Sequence, residues 1–154
     1  MTKRVFIAGL VASIAMAMVE MMYEGLFGVG FWSAPVFIAA TVLRDLQTVA
    51  IPVTFSAVPV VVGLMGHMMN SVILGLIFVT LVPLCTGPFR TRVKGIVSGA
   101  GYALLVFFLM WFVVLPVVDP VMLHLNPYVF AMAHIVWGVV LGGMVTLRSD
   151  PMRT

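Results

Sequence analysis

The sequence predicts an all-α integral membrane fold: a four-helix bundle made from a tandem repeat of two transmembrane hairpins, with a short interfacial helix in the first outer loop. Three observations carry this expectation. Apolar residues make up 63% of the 154-residue chain and charged residues 8%, with a mean hydropathy of +1.23, against about 45–50% and about 25% in soluble domains. Four apolar runs, at 5–30, 57–85, 95–118 and 127–147, each reach the roughly 20 residues that a helix needs to cross about 30 Å of hydrocarbon. Finally, "MGHMMNSVILG" at 65–75 returns as "MAHIVWGVVLG" at 132–142. The chain reads as a single membrane domain over residues 1–154, with repeat one about 1–88 and repeat two about 89–154.

In chain order, the first run follows Lys3 and Arg4 and contains Glu20, Tyr23 and Glu24. "AMA" at 15–17 has the form of a signal-peptide cleavage site, but the apolar run outlasts the roughly 7–15 residues of a signal core. A retained helix is expected. Residues 31–50 are too polar at their end to span again. "SAP" supplies Ser33 as an N-cap with an early Pro35, so a short helix is expected on, or dipping into, the outer face. Phe31 and Trp32 suit the membrane interface, and Arg44 and Asp45 end the segment. Pro59, Pro83 and Pro88 fall near the ends of the second span, where proline costs little. His124 reads as a solvated loop residue, Asp119 before Pro120 as turn chemistry, and the lone Cys85 as a small apolar residue.

Orientation follows from the basic residues. Lys3 and Arg4, then Arg90, Arg92 and Lys94, then Arg148 and Arg153 occupy alternate connections, so the positive-inside rule places both termini in the cytoplasm. The formal net charge of +3 is thereby a topology signal, and no nucleic-acid partner is expected.

The repeat pairs Met65, His67, Val72, Leu74 and Gly75 with Met132, His134, Val139, Leu141 and Gly142, an offset of 67. The first and third spans align at an offset of 90, matching Gly9 with Gly99 and Arg4 with Lys94. The two hairpins then share one topology and are related by an axis along the membrane normal, as in some transporters. His134 lies 14 residues before Arg148, or roughly 21 Å. Glu20 lies 16 residues after Arg4, or roughly 24 Å. Glu20, Glu24, His67 and His134 are therefore expected in one layer of the outer half. Ionisable groups inside spans are costly and point to function.

Four readings compete for this layer. The groups hydrogen-bond across helices and fix packing, each bond worth about 1 kcal/mol or less. Alternatively His67 and His134 are axial ligands of a b-type haem. A third reading gives Glu20, Glu24, His67 and His134 a metal ion such as zinc, iron or manganese. The fourth is proton-coupled transport through Glu20 and the histidines. The methionines Met65, Met69 and Met132 point away from the histidine faces on a helical wheel, which argues against Cu(I) and for packing. Small-xxx-small pairs at Gly95 and Gly99, Ser71 and Gly75, and Gly138 and Gly142 mark close helix contacts or a partner surface. No hydrolase triad, phosphate loop or HExxH motif is present, so an enzyme is not expected.

"GFWSAPVFIAATVLRD", followed by H-x3-S-x3-G and H-x3-G-x3-G, resembles small multi-pass bacterial inner-membrane proteins of unknown function. The resemblance implies a fold and an inner-membrane location but no activity. The expectation is a non-enzymatic binding or accessory subunit in contact with the bilayer, and with other membrane subunits or copies of itself.

Overall fold

The computed structural model describes residues 2–146; Arg148 and Arg153, part of the orientation argument, lie outside them, as does the last residue of the fourth predicted run. The elements are α1 (Thr2–Phe27), α2 (Ser33–Ala40), a 3-10 turn (Arg44–Thr48), α3 (Ala57–Thr86) and α4 (Arg92–Leu109). A π-helical turn (Met110–Val114) continues α4 into α5 (Leu115–Val118), and a 3-10 turn (Pro120–His124) leads to α6 (Pro127–Val145). No strand occurs among the described residues. Four helical segments are long and apolar enough to cross a membrane: 3–27, 57–86, 92–118 and 127–145.

Helix limits follow local chemistry. α6 starts where Asn126 accepts the amide hydrogens of Tyr128 and Val129 at 3.0 and 3.3 Å and Pro127 fills the first helical position, a position that needs no amide hydrogen. Thr91 caps α4 by accepting from the Lys94 amide. α3 ends at Gly87, whose φ of +73° suits a residue without a Cβ. The π turn precedes Pro116, which cannot donate to the carbonyl four residues back and crowds it in a regular helix; the wider turn accommodates it. The sequence reading contains no such break.

Packing places small residues inside and bulky ones outside. Ala8, Ala12 and Ser13 of α1 are fully covered while Phe6, Ile7, Ile14 and Met18 are about half exposed. Such an arrangement suits a surrounding solvent as apolar as the side chains themselves. α3 packs on α1, α1 on α6, and α6 on α4, whereas α3 and α4 barely touch. The tightest contact is the antiparallel crossing of α4 and α6. A Cβ on Gly99 would collide with the Gly138 carbonyl, and one on Gly142 with that of Gly95. At the α1–α3 crossing, a Cβ on Gly9 would lie 3.0 Å from Val72 Cα, and the Ser71 hydroxyl donates to the Gly9 carbonyl at 2.6 Å.

The short helix expected within residues 31–50 is present as α2, with two differences. Seven of its eight residues are buried, and the Pro35 carbonyl sits where a Cβ of Gly63 would be, so α2 is wedged against α3 instead of lying open along a surface. Trp32, not Ser33, occupies the N-cap position, and the Ser33 hydroxyl is buried without a partner. The helix is short enough for protein contacts to decide its course.

Replacing Gly138 by alanine is expected to force α4 and α6 apart and cost about 1–3 kcal/mol, the usual range for overpacking. Gly101, with nothing within 4 Å of its Cβ position, is the control. Thermal melting in detergent should fall for Gly138→Ala and hold for Gly101→Ala; equal midpoints would show that the crossing tolerates separation.

Candidate functional site

Because α3 and α4 diverge, a cavity of about 380 Å³ opens between them. α2 and the α5–α6 connection contribute Ala34, Pro35, Ile38, Asp119, Met122 and Leu125 to one end of it. Towards the other end, the Tyr102 hydroxyl donates to the Leu74 carbonyl at 3.1 Å, and Phe78 stacks on Phe89 at 4.9 Å. Three of the predicted site residues, Glu20, His67 and His134, reach this one cavity from α1, α3 and α6. Glu20 is 7 residues before the end of α1 and His134 is 7 after the start of α6, while His67 is 10 after the start of α3.

Their bonding states differ. His67 Nε2 lies 3.1 Å from the Ser13 carbonyl and His134 Nδ1 lies 2.7 Å from the Phe130 carbonyl. A carbonyl only accepts, so each of those nitrogens carries the hydrogen. Glu20 is 3% exposed, and neither carboxylate oxygen has a hydrogen-bond partner. Burying such a group unpaired costs more than any single helix contact returns, which singles it out.

Glu24 does not join the layer. One oxygen accepts from the Val29 amide at 2.9 Å and the other from the Asn126 amide at 3.1 Å, while Tyr23 accepts from the Asn126 side chain at 3.0 Å. Its carboxylate ties the end of α1 to the start of α6. For the four-ligand metal reading, no three His, Cys, Asp or Glu side chains among the described residues are grouped so as to hold one ion, and Glu24 is engaged by two backbone amides. A haem held by the two histidines through Nε2 would find that atom free on His134 and, on His67, only after release of the Ser13 carbonyl.

Ser71 joins cavity and scaffold: Trp137 Nε1–H donates to its hydroxyl at 2.6 Å. Gly95, Gly99, Gly138 and Gly142 serve the α4–α6 crossing, and Gly75 faces Leu141 and Val5. His124 is exposed, as expected, its Nδ1 2.9 Å from the Val121 carbonyl.

Asp119 is the residue that sequence reasoning undervalued. It lines the end of the cavity beside α2, is 2% exposed, and accepts from Thr41 at 2.7 Å and from the Gln47 amide group. Gln47 in turn accepts from the Val121 amide at 3.2 Å, and Arg44 donates to the Val118 carbonyl at 2.6 Å. These contacts latch the segment after α2 to the α5–α6 connection, a sequence separation of over 70 residues. The polar cluster "TVLRDLQT" was the available signal, but its partner could not be read from local spacing. Burial pushes the Asp119 carboxyl above the usual carboxylate range, offset in part by Thr41, Gln47 and Arg44.

Two expectations follow. Glu24→Gln puts an NH2 against an amide hydrogen and should cost about 1.5–3 kcal/mol, as for a lost bond to a charged group; Glu20→Gln, one turn earlier, should leave the melting midpoint unchanged or raise it. A stability loss as large in Glu20→Gln would mean that its carboxylate is paired. The folded state holds the Asp119 proton more tightly than the unfolded state, so its contribution is full below the ordinary carboxylate range and is lost as pH rises through the raised value. Lowering pH from 7 towards about 4 should therefore stabilise the parent more than Asp119→Asn, and parallel melting-versus-pH curves would remove Asp119 as the titrating group.

Comparison with protein-family models, with curated proteins and with solved structures finds no match for this chain, so the functional reading rests on the geometry of the cavity.

Proposed function

We propose that the protein is a non-enzymatic membrane binding protein, acting as an accessory subunit, that takes a small molecule into the cavity between α3 and α4 in the outer half of the bilayer. The observation that carries this reading is the convergence of Glu20, His67 and His134 on one cavity of about 380 Å³, within the range of small-molecule sites. A packing device would leave its polar atoms paired, whereas Glu20 is unpaired. Nothing in the lining supplies a nucleophile with a base beside it, so binding is favoured over catalysis.

The scaffold is read as a duplicated hairpin in the inner membrane with cytoplasmic termini, in keeping with the resemblance to small multi-pass inner-membrane proteins. What supports duplication is the register of the crossings. Gly9 meets Ser71 and Val72 as Gly99 meets Gly138, and Val5 meets Gly75 as Gly95 meets Gly142, which are the pairs related by the offsets of 90 and 67. Antiparallel crossings also bring Lys3 and Arg4 to the same end as Arg92 and Lys94, as a cytoplasmic N-terminus requires.

The test is extraction. Protein purified from its membrane in mild detergent should yield, by mass spectrometry of the solvent extract, a near-stoichiometric small molecule that is lost from Leu64→Trp, in which the cavity is filled. Identical extracts from the two would sink the cavity reading. A reduced b-type absorption band in the parent would return the histidines to haem ligation.

A further inference from the structure

This inference rests on the cavity being a binding site and concerns the chemistry of its occupant. The polar groups of the wall divide by whether the protein already uses them. Trp137 Nε1–H is spent on Ser71, the Ser71 hydroxyl on the Gly9 carbonyl, and the Thr41 hydroxyl on Asp119. His67 spends its Nε2–H on Ser13 and His134 its Nδ1–H on Phe130. The atoms left over are His67 Nδ1 and His134 Nε2, both acceptors, and the two Glu20 oxygens, both acceptors once the carboxyl is ionised. Asn70, exposed at the rim, is the one wall side chain among the described residues with uncommitted donors, and no Lys or Arg lines the cavity.

We propose that the cavity binds an apolar molecule carrying a primary ammonium group, with Glu20 as its counter-ion and His67 and His134 as further acceptors. An ammonium brings three donors and no acceptor, the complement of this wall. Its charge supplies the partner that the buried carboxylate lacks, and Phe130 and Trp137, which also line the cavity, bring aromatic rings of the kind that attract a cation. A carboxylate or phosphate ligand would meet acceptors alone. The apolar part of the molecule has a place as well. Among the lining residues Thr41 after α2, Asn70 and Ile73 of α3, and Val118 of α5 are exposed, which marks an opening between α3 and α5 that runs from the end of α2 along α3. Asn70 is the fourteenth of 30 residues in α3, so this opening reaches the middle of the span. A tail can remain in hydrocarbon while the ammonium reaches Glu20.

The same ammonium chemistry is offered by a free amine and by an ethanolamine lipid headgroup. The experiment is calorimetric titration of the full chain in phosphatidylcholine nanodiscs with 2-phenylethylammonium and with its neutral counterpart 2-phenylethanol. The ammonium should bind at least tenfold more tightly than the alcohol, and Glu20→Gln should reduce it to the alcohol's affinity. Equal affinities in the parent would overturn the ammonium assignment and leave the cavity standing; binding of neither probe would overturn both. A readout on the unaltered chain covers misfolding of the variant: modification of Glu20 by dicyclohexylcarbodiimide, mapped by mass spectrometry, should be slowed by the ammonium and not by the alcohol. Labelling indifferent to both probes would also overturn the assignment. Repeating the titration in phosphatidylethanolamine discs separates the sources, because suppressed binding there assigns the ammonium to the lipid headgroup and unchanged binding assigns it to a free amine.

Discussion

The bundle depends on backbone meeting backbone at two helix crossings. In surroundings as apolar as a leucine side chain, helices gain little from hiding oil from water, and close contact has to come from van der Waals packing. Gly95, Gly99, Gly138 and Gly142 let α4 and α6 approach until the carbonyls of one fill the space of the missing Cβ atoms on the other. Gly9 brings α1 close to α3 less tightly, with Val72 Cα 3.0 Å from its Cβ position. α3 and α4 have no such seam, so the ring of helices is tight on three sides and open on the fourth. The cavity is the residue of that difference.

Polar groups inside the bundle then sort by whether a partner is within reach. Glu20 and Glu24 lie one turn apart on the same helix, yet Glu24 is satisfied by two amide hydrogens from the loops that border the end of α1, and Glu20 has no partner. The difference is position along the axis. Loop amides are free at helix ends, where the first and last turns leave backbone groups unpaired, and absent one turn deeper. A carboxylate at that depth either finds a side chain or waits for something that is not part of the chain.

How much was legible follows the range of each interaction. Span number, antiparallel order and the glycine seams are encoded in periodicity and in pairs three or four residues apart, and these appear where the sequence places them. The common level of Glu20, His67 and His134 was readable too, since a helix converts residue number into depth at a fixed rise. The amide partners of Glu24 were not readable, because the same counting does not reveal a loop folding back on the helix end. Asp119 was read as turn chemistry because its partners Thr41 and Gln47 lie over 70 residues away. The burial of α2 against Gly63 escaped notice for a similar reason: a short apolar helix looks the same whether lipid or protein covers it. Pro116 was visible, but a proline signals a break without stating that a π turn will absorb it.

Under the proposed duplication, the departures from symmetry are more informative than the symmetry. Equivalent positions pair Glu20 with Met110, Asn70 with Trp137, and Ser71 with Gly138. Five of these six residues line the cavity, and the sixth, Gly138, lies in the tight seam. The π turn begins at Met110, and α2 has no helical counterpart of its length between α5 and α6. A chain selected only to pack would have reason to keep both halves alike, since one good crossing serves twice. Here the seams are kept, and the changes collect where α3 and α4 part: an acid gained on one side, an indole on the other, a loosened helical turn facing them, and a short helix closing the top. On this proposal duplication would account for the scaffold, and the asymmetric residues for a proposed site that only one of its two faces contains.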